Sequence, residues 1–180
     1  MGSTKKAIVA LSIVGMTISP SIARADIFGG GPPDSYYYAD NSLHMYCFDL
    51  NYIPAWQNPM LDALSNLQSQ TKITVQESIT CSADTDVAFM VKNGPFWAGI
   101  RGQTACRKFA QQAEVCAGST IVLNSDLLND YQNRRKTACH ELGHSVGLSH
   151  ATTGDDCMIS GSSSLINYNA HHVSHINSYY

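Results

Sequence analysis

Residues 137–150 (TACHELGHSVGLSH) constrain the chain more than any other stretch. His140 and His144 stand four positions apart, so on an α-helix both imidazoles leave the same face and can reach a common point. Glu141, three positions before His144, lies on the adjoining flank. Gly147 then ends the helix, because glycine alone bears a positive φ without penalty. The turn it permits brings His150 back towards the same point. Any fold for this chain must contain a helix that stops near 147 and a third histidine folded onto it.

Three neutral imidazoles and a water make an open tetrahedral site, the arrangement of catalytic rather than structural zinc. His140, His144 and His150 are the expected ligands of one Zn2+ ion. Glu141 reaches a water on the metal without becoming a ligand. It is therefore the expected general base, taking the proton of the attacking water and passing it to the leaving amine of a peptide bond. The pattern HExxHxxGxxH fixes five positions at once, which makes it far more specific than HExxH alone.

The N-terminus suits this chemistry to an exported protein. Lys5 and Lys6 precede an apolar run over residues 7–18, and Ala23-Arg24-Ala25 follows Pro20 as a cleavage site. Residues 1–25 read as a signal peptide, too short in its apolar part to span a membrane. Removing it deletes Lys5, Lys6 and Arg24 from a chain already at −3, with no basic patch left for nucleic acid. All six cysteines (Cys47, Cys81, Cys106, Cys116, Cys139 and Cys157) lie beyond it. An even count without C-x2-4-C spacing reads as three disulfides, with connectivity left open by spacing alone.

Residues 26–42 are rich in Gly, Pro and Tyr and read as an extended arm; Asp34 or Asp40 on it is a remote candidate to reach the metal. Residues 43–180 form one domain. Alternation and apolar runs predict strands over 44–50, 73–79, 87–91 and 119–123, with 87–91 the most central. Asn58 as N-cap and Pro59 as first helical residue predict a helix over 58–70, its apolar stripe formed by Met60, Leu61, Leu64 and Leu67. Residues 96–116 carry no assignable pattern, and 127–132 read as a linker into the motif helix. Strands interspersed with helices make an α+β, mixed α/β sandwich.

HELGHSVGLSH resembles the zinc-binding signature of the metzincin clan of metallopeptidases, and most closely its matrixin-like members. That resemblance implies a twisted sheet with an active-site helix and, beneath the metal, a Met-turn, for which Met158, eight positions after His150, is the matching residue. It implies a C-terminal helix, which Val173, Ile176 and Tyr180 fit. It also implies an edge strand that holds substrate as an added antiparallel strand, matched here with residues 119–123 (STIVL). No segment with a zinc-blocking cysteine stands between the leader and the domain. Ser160 stands where some relatives have a tyrosine, and no D-x-D-x-D-G loop is present, so calcium is left open. Cys139 adjoins His140 and Cys157 adjoins Met158; a bond between them would tie the motif helix to the Met-turn. Cys106 with Cys116, and Cys47 with Cys81, are the remaining pairs.

The expectation is a secreted, monomeric zinc-dependent endopeptidase acting on protein or peptide substrates, with no membrane attachment after the leader is removed. The alternative is a secreted metal- or protein-binding module that keeps the site and lacks turnover. His171 and His175, also four apart, read as a solvated helix face before a second metal pair, and His44 has no assigned role.

Overall fold

The computed structural model describes residues 37–49, 54–152 and 154–180. Residues 1–36, which include the expected leader, most of the expected arm and Asp34, lie outside the described residues. Asp40 is exposed on the turn after the first strand, bonded to Asn41 Nδ2 at 2.8 Å, and does not belong to the histidine cluster.

The chain builds one mixed sheet in which all pairings but one are parallel. Its strands are β1 (Tyr38–Ala39), β2 (Leu43–Phe48), β3 (Thr74–Glu77), β4 (Val87–Lys92), β5 (Gly102–Phe109) and β6 (Val115–Asn124). The order is β1-β6-β4-β2-β3, with β5 paired antiparallel to β6. Strand β2 reaches its parallel neighbour β3 through helix α1 (Gln57–Gln70). Helices α2 (Tyr131–Ser145) and α3 (Ala170–Tyr179) follow the sheet. The mixed α/β expectation agrees with this arrangement.

The start of α1 differs from expectation. A 3-10 turn, Pro54–Trp56, runs directly into Gln57, and Trp56 occupies the cap position without a side-chain hydrogen bond. Asn58 is thus inside the helix, and Pro59 sits in the first turn, where its missing N–H has no intrahelical acceptor to lose. Of the expected apolar stripe Met60, Leu64 and Leu67 are buried; Leu61 is only partly buried at its margin, and Ala63 completes the buried face. They meet Phe89 of β4, Ile121 of β6 and Leu142 of α2 in the main core.

Strand β4 is central, between β2 and β6, and Val87, Ala88 and Phe89 are buried. Strand β3 is shorter and wetter than predicted. Ile73 is buried just before it, but pairing stops at Glu77 and Ile79 is 98% exposed.

Two corrections bear on the site. The unassigned stretch contains β5, whose inward positions Gly102, Thr104 and Cys106 are small or polar. Its alternation is real but not hydrophobic, so no apolar period marks it. In addition, residues 119–123 are not an edge. Leu123 pairs with Gly102 on one side, while Ser119 pairs with Val87 of β4 on the other. Strand β6 has no backbone edge to offer there; among the described residues the edge on that side of the sheet belongs to β5, as β3 forms the edge on the far side.

The three cystines are Cys47–Cys81, Cys106–Cys116 and Cys139–Cys157. The first ties β2 to the segment after β3, the second staples the β5–β6 hairpin, and the third joins α2 to the loop that follows it. Such bonds belong to a chain that folds in an oxidising environment. Among the described residues no helix is long and apolar enough to cross a membrane.

Candidate metal centre and cleft

Helix α2 begins with Asp130 as N-cap, its carboxylate accepting from Asn133 N at 2.9 Å. Its second half is sunk in the protein: residues 136–145 are all buried. The helix ends as the sequence requires. Leu148 N bonds to Gly143 O at 3.0 Å and Gly147 N to His144 O at 3.2 Å, the paired bonds of a Schellman motif, with Gly147 at φ 98°. The chain reverses there, and His150 returns to the helix.

The result is a cluster in which one ligating atom from each of His140, His144 and His150 lies within 4.8 Å of the others. The ring centroids are 4.7–5.0 Å apart. His140 Nδ1 donates to Cys157 O at 2.9 Å and His144 Nδ1 to Leu148 O at 2.7 Å. Donation from Nδ1 makes Nε2 the basic nitrogen of each of these two rings, the tautomer a metal ligand needs. Burial, with the positive charge of Lys136 next, pushes His140 down to about 4. Burial and then His140 push His144 well below its usual value, and burial and then Lys136 lower His150. All three rings are neutral at physiological pH, with lone pairs available. Geometry, tautomer and charge state together fit a transition-metal ion.

Glu141 sits beside the cluster without joining it. Its carboxylate Oε2 lies 2.8 Å from Thr104 Oγ1 of β5, which also reaches the Glu141 carbonyl at 2.7 Å. Burial pushes the Glu141 carboxyl up to about 7, opposed first by the Thr104 hydroxyl and then by the charge of Lys136. A Cβ on Gly102 would stand 2.7 Å from Glu141 Oε1 and 2.8 Å from Thr137 Cγ2. Gly102 is therefore the place where sheet backbone and motif helix close on each other, and only hydrogen fits between them. Neither Gly102 nor Thr104 stands out in the sequence, because the strand carrying them shows no apolar pattern.

The floor is built from the loop after His150. Met158 is fully buried, and a Cβ on Gly143 would collide with its Sδ and stand 3.0 Å from Tyr168 Cε1. Glycine at 143, between His140 and His144, lets this loop press against the helix. Asp156, also fully buried, anchors the loop. It accepts from Met158 N at 2.6 Å, from Asn169 N at 2.7 Å and from His172 Nδ1 at 2.6 Å. Burial alone would raise this carboxyl; the His172 bond and then the two backbone bonds outweigh it and hold it below its ordinary value. Asp156 therefore couples the loop to the start of α3, a role that spacing around His150 does not reveal.

Between α2, the start of β5 and the loop after Met158 lies an open cleft of about 270 Å3, lined by Arg101, Lys136, His140, Glu141, Ser160 and Gly161 among others. Lys136 is 3% exposed; its Nζ donates to Ile159 O and to Gly161 O at 2.9 Å. Burial lowers this amine to about 8 against the opposing pull of Glu141.

The other histidines stand apart. His44 of β2 is buried and lies 3.0 Å from Ser145 Oγ through Nε2. Ser145 gives its only hydroxyl proton to Leu142 O at 2.7 Å, so His44 Nε2 is the donor and the ring pins β2 to the end of α2. Burial pushes His44 down to about 4. His171 and His175 face each other on α3, their Nε2 atoms 3.0 Å apart on the exposed side. Neither belongs to the cluster formed by the other three.

No family model matches this chain, and no curated protein matches it.

Proposed function

We propose that the protein is a secreted zinc-dependent endopeptidase of the metzincin clan, of matrixin-like form. One observation carries the reading: three neutral histidines converge within 4.8 Å, and a carboxylate that is not part of the cluster stands beside them in an open cleft. His140, His144 and His150 would hold the ion. Zinc held there supplies a water whose pKa is lowered to about 7 and polarises the carbonyl that is attacked.

The rest of the chemistry belongs to the chain. Glu141 accepts the proton of the attacking water and delivers it to the departing amine, with Thr104 fixing the carboxylate against β5. The raised affinity of Glu141 for a proton suits a group that must take one up and then release it. Strand β5, whose outer edge is unpaired among the described residues, is positioned to receive an extended peptide as an added strand. Met158 plays the part of the Met-turn residue, supporting the helix at Gly143.

Digestion of a peptide library by the protein without residues 1–25, read by mass spectrometry, tests the assignment. Cleavage is expected, is abolished by a zinc chelator and returns on adding zinc. Glu141→Ala should hold the metal and cut nothing. A chain that binds zinc yet leaves the whole library intact would be a metal-binding module instead, and cleavage surviving in Glu141→Ala would discard Glu141 as the base.

A further inference from the structure

The cleft beside the histidine cluster has a charge pattern that hydrolysis itself does not require. Two cations line it, Arg101 and Lys136, against one carboxylate, Glu141. That carboxylate is held by Thr104 and engaged by the reaction. In a chain with 11 basic and 14 acidic residues, two cations meeting at one cleft is a local excess.

Both cations are incompletely satisfied. Lys136 spends two ammonium protons on Ile159 O and Gly161 O, which leaves a third donor. Arg101, a half-buried residue of the cleft lining, gives Nη2 to Asn133 Oδ1 at 2.6 Å, which leaves Nη1 without a bond among the described residues. Cationic donors left open side by side draw an anionic acceptor, and a carboxylate is the group that serves both best. An apolar side chain entering the cleft would cover both cations and give them nothing.

Glu141 also fixes which substrate residue comes here. It must reach the departing amine, so the residue that contributes this nitrogen lies along Glu141, and the cleft that Glu141 lines takes its side chain.

We propose that this cleft is a specificity pocket for a carboxylate side chain, Asp or Glu, on the residue immediately following the cut, with Arg101 and Lys136 as its partners. The inference rests on the peptidase reading above.

The test uses the zinc-loaded protein and a set of peptides identical except for Glu, Asp, Gln, Asn, Leu or Lys after the cut. The expected kcat/KM for Glu and Asp exceeds that for their amides by about tenfold, the value of one charge-assisted hydrogen bond. Arg101→Gln and Lys136→Met each reduce that ratio, and Arg101→Glu moves the preference towards Lys. Lys136→Met also strips the loop of its anchor, whereas Arg101→Gln leaves Lys136 and both carbonyl bonds in place, so the result does not hang on folding. Binding of the uncut peptides to zinc-loaded Glu141→Gln should follow the same order without turnover. A preference for Leu, indifference to charge, or a Glu preference that survives both substitutions overturns this pocket and leaves the peptidase standing. Absence of chelator-sensitive cleavage for every peptide overturns the peptidase reading and the pocket with it.

Discussion

The two walls of the cleft are built to opposite standards. On the helix side, residues 136–145 are buried, Met158 and Asp156 have no exposure, and a cystine joins helix to loop. On the sheet side, β5 alternates between partly buried and exposed residues, Phe109 is 57% exposed, and the preceding loop shows Phe96 at 81%. The helix wall carries His140, Glu141 and His144, each buried and each held by a hydrogen bond. The sheet wall mostly offers backbone and touches the helix closely at Gly102 and Thr104. Precision is concentrated where the proposed chemistry would punish misplacement, and access is left on the wall proposed to receive substrate.

Removing the cystine of the helix wall is the largest test of this contrast. Cys139→Ser with Cys157→Ser should cost about 3 kcal/mol by the loop-closure estimate and lower zinc affinity, since Cys157 O orients His140. The matching pair on the sheet wall, Cys106→Ser with Cys116→Ser, closes a shorter loop and should cost somewhat less, with zinc affinity unchanged. Urea unfolding and metal competition read both; equal effects on zinc would erase the distinction between the walls.

The two glycines sharpen it. Gly143→Ala forces Met158 and Tyr168 from the helix and should lose roughly 1–3 kcal/mol of stability by overpacking. Gly102→Ala pushes instead on the Glu141 carboxylate, and a displacement near 1 Å at such a group costs up to about a hundredfold in turnover. Melting temperature should fall more in the first variant and kcat/KM, relative to stability, more in the second. The reverse pattern would place the precise wall on the wrong side.

The smallest effect concerns His44, which lies behind the helix wall. Its folded pKa, near 4, is below its ordinary 6.5, so the unfolded chain binds the proton more readily. Stability from the neutral ring is complete above pH 6.5, drains away as pH falls towards 4, and changes no further below that. The swing is on the order of 1–3 kcal/mol. His44→Leu should flatten the acid side of the stability curve over that window, as urea midpoints at pH 7, 5.5 and 4.5 would record. Parallel curves for the two proteins would mean the ring is solvated.

Legibility followed the same division. The helix wall could be read from spacing because helical geometry is local: four-residue steps, a glycine stop and a returning histidine sit within one short segment. The stripe of α1 and the buried run of β4 were legible for the same reason. The sheet wall was not. Strand β5 faces inward with Gly102, Thr104 and Cys106, which carry no apolar signal, and its pairing with β6 is fixed by long-range register. Placing the free edge at 119–123 followed from that omission, since β6 looks like an edge only while β5 is unseen. The beginning of α1 was misplaced because Asn58-Pro59 is a good start signal that a preceding 3-10 turn overrides. Asp156 and Lys136 were hidden for a further reason: each acts through partners far along the chain.

The acceptors that orient His140 and His144 are main-chain carbonyls, Cys157 O and Leu148 O. A carbonyl of the backbone carries no side-chain identity, so no substitution in the gene can delete it. A scan of single substitutions across this region would find the histidines themselves intolerant and no side-chain acceptor behind those two rings to delete. What such a scan would register instead are the positions that hold the carbonyls in place: the Cys139–Cys157 cystine, Gly147 at the turn and Asp156 under the loop. Tolerance to mutation and importance to geometry are thereby uncoupled at this centre.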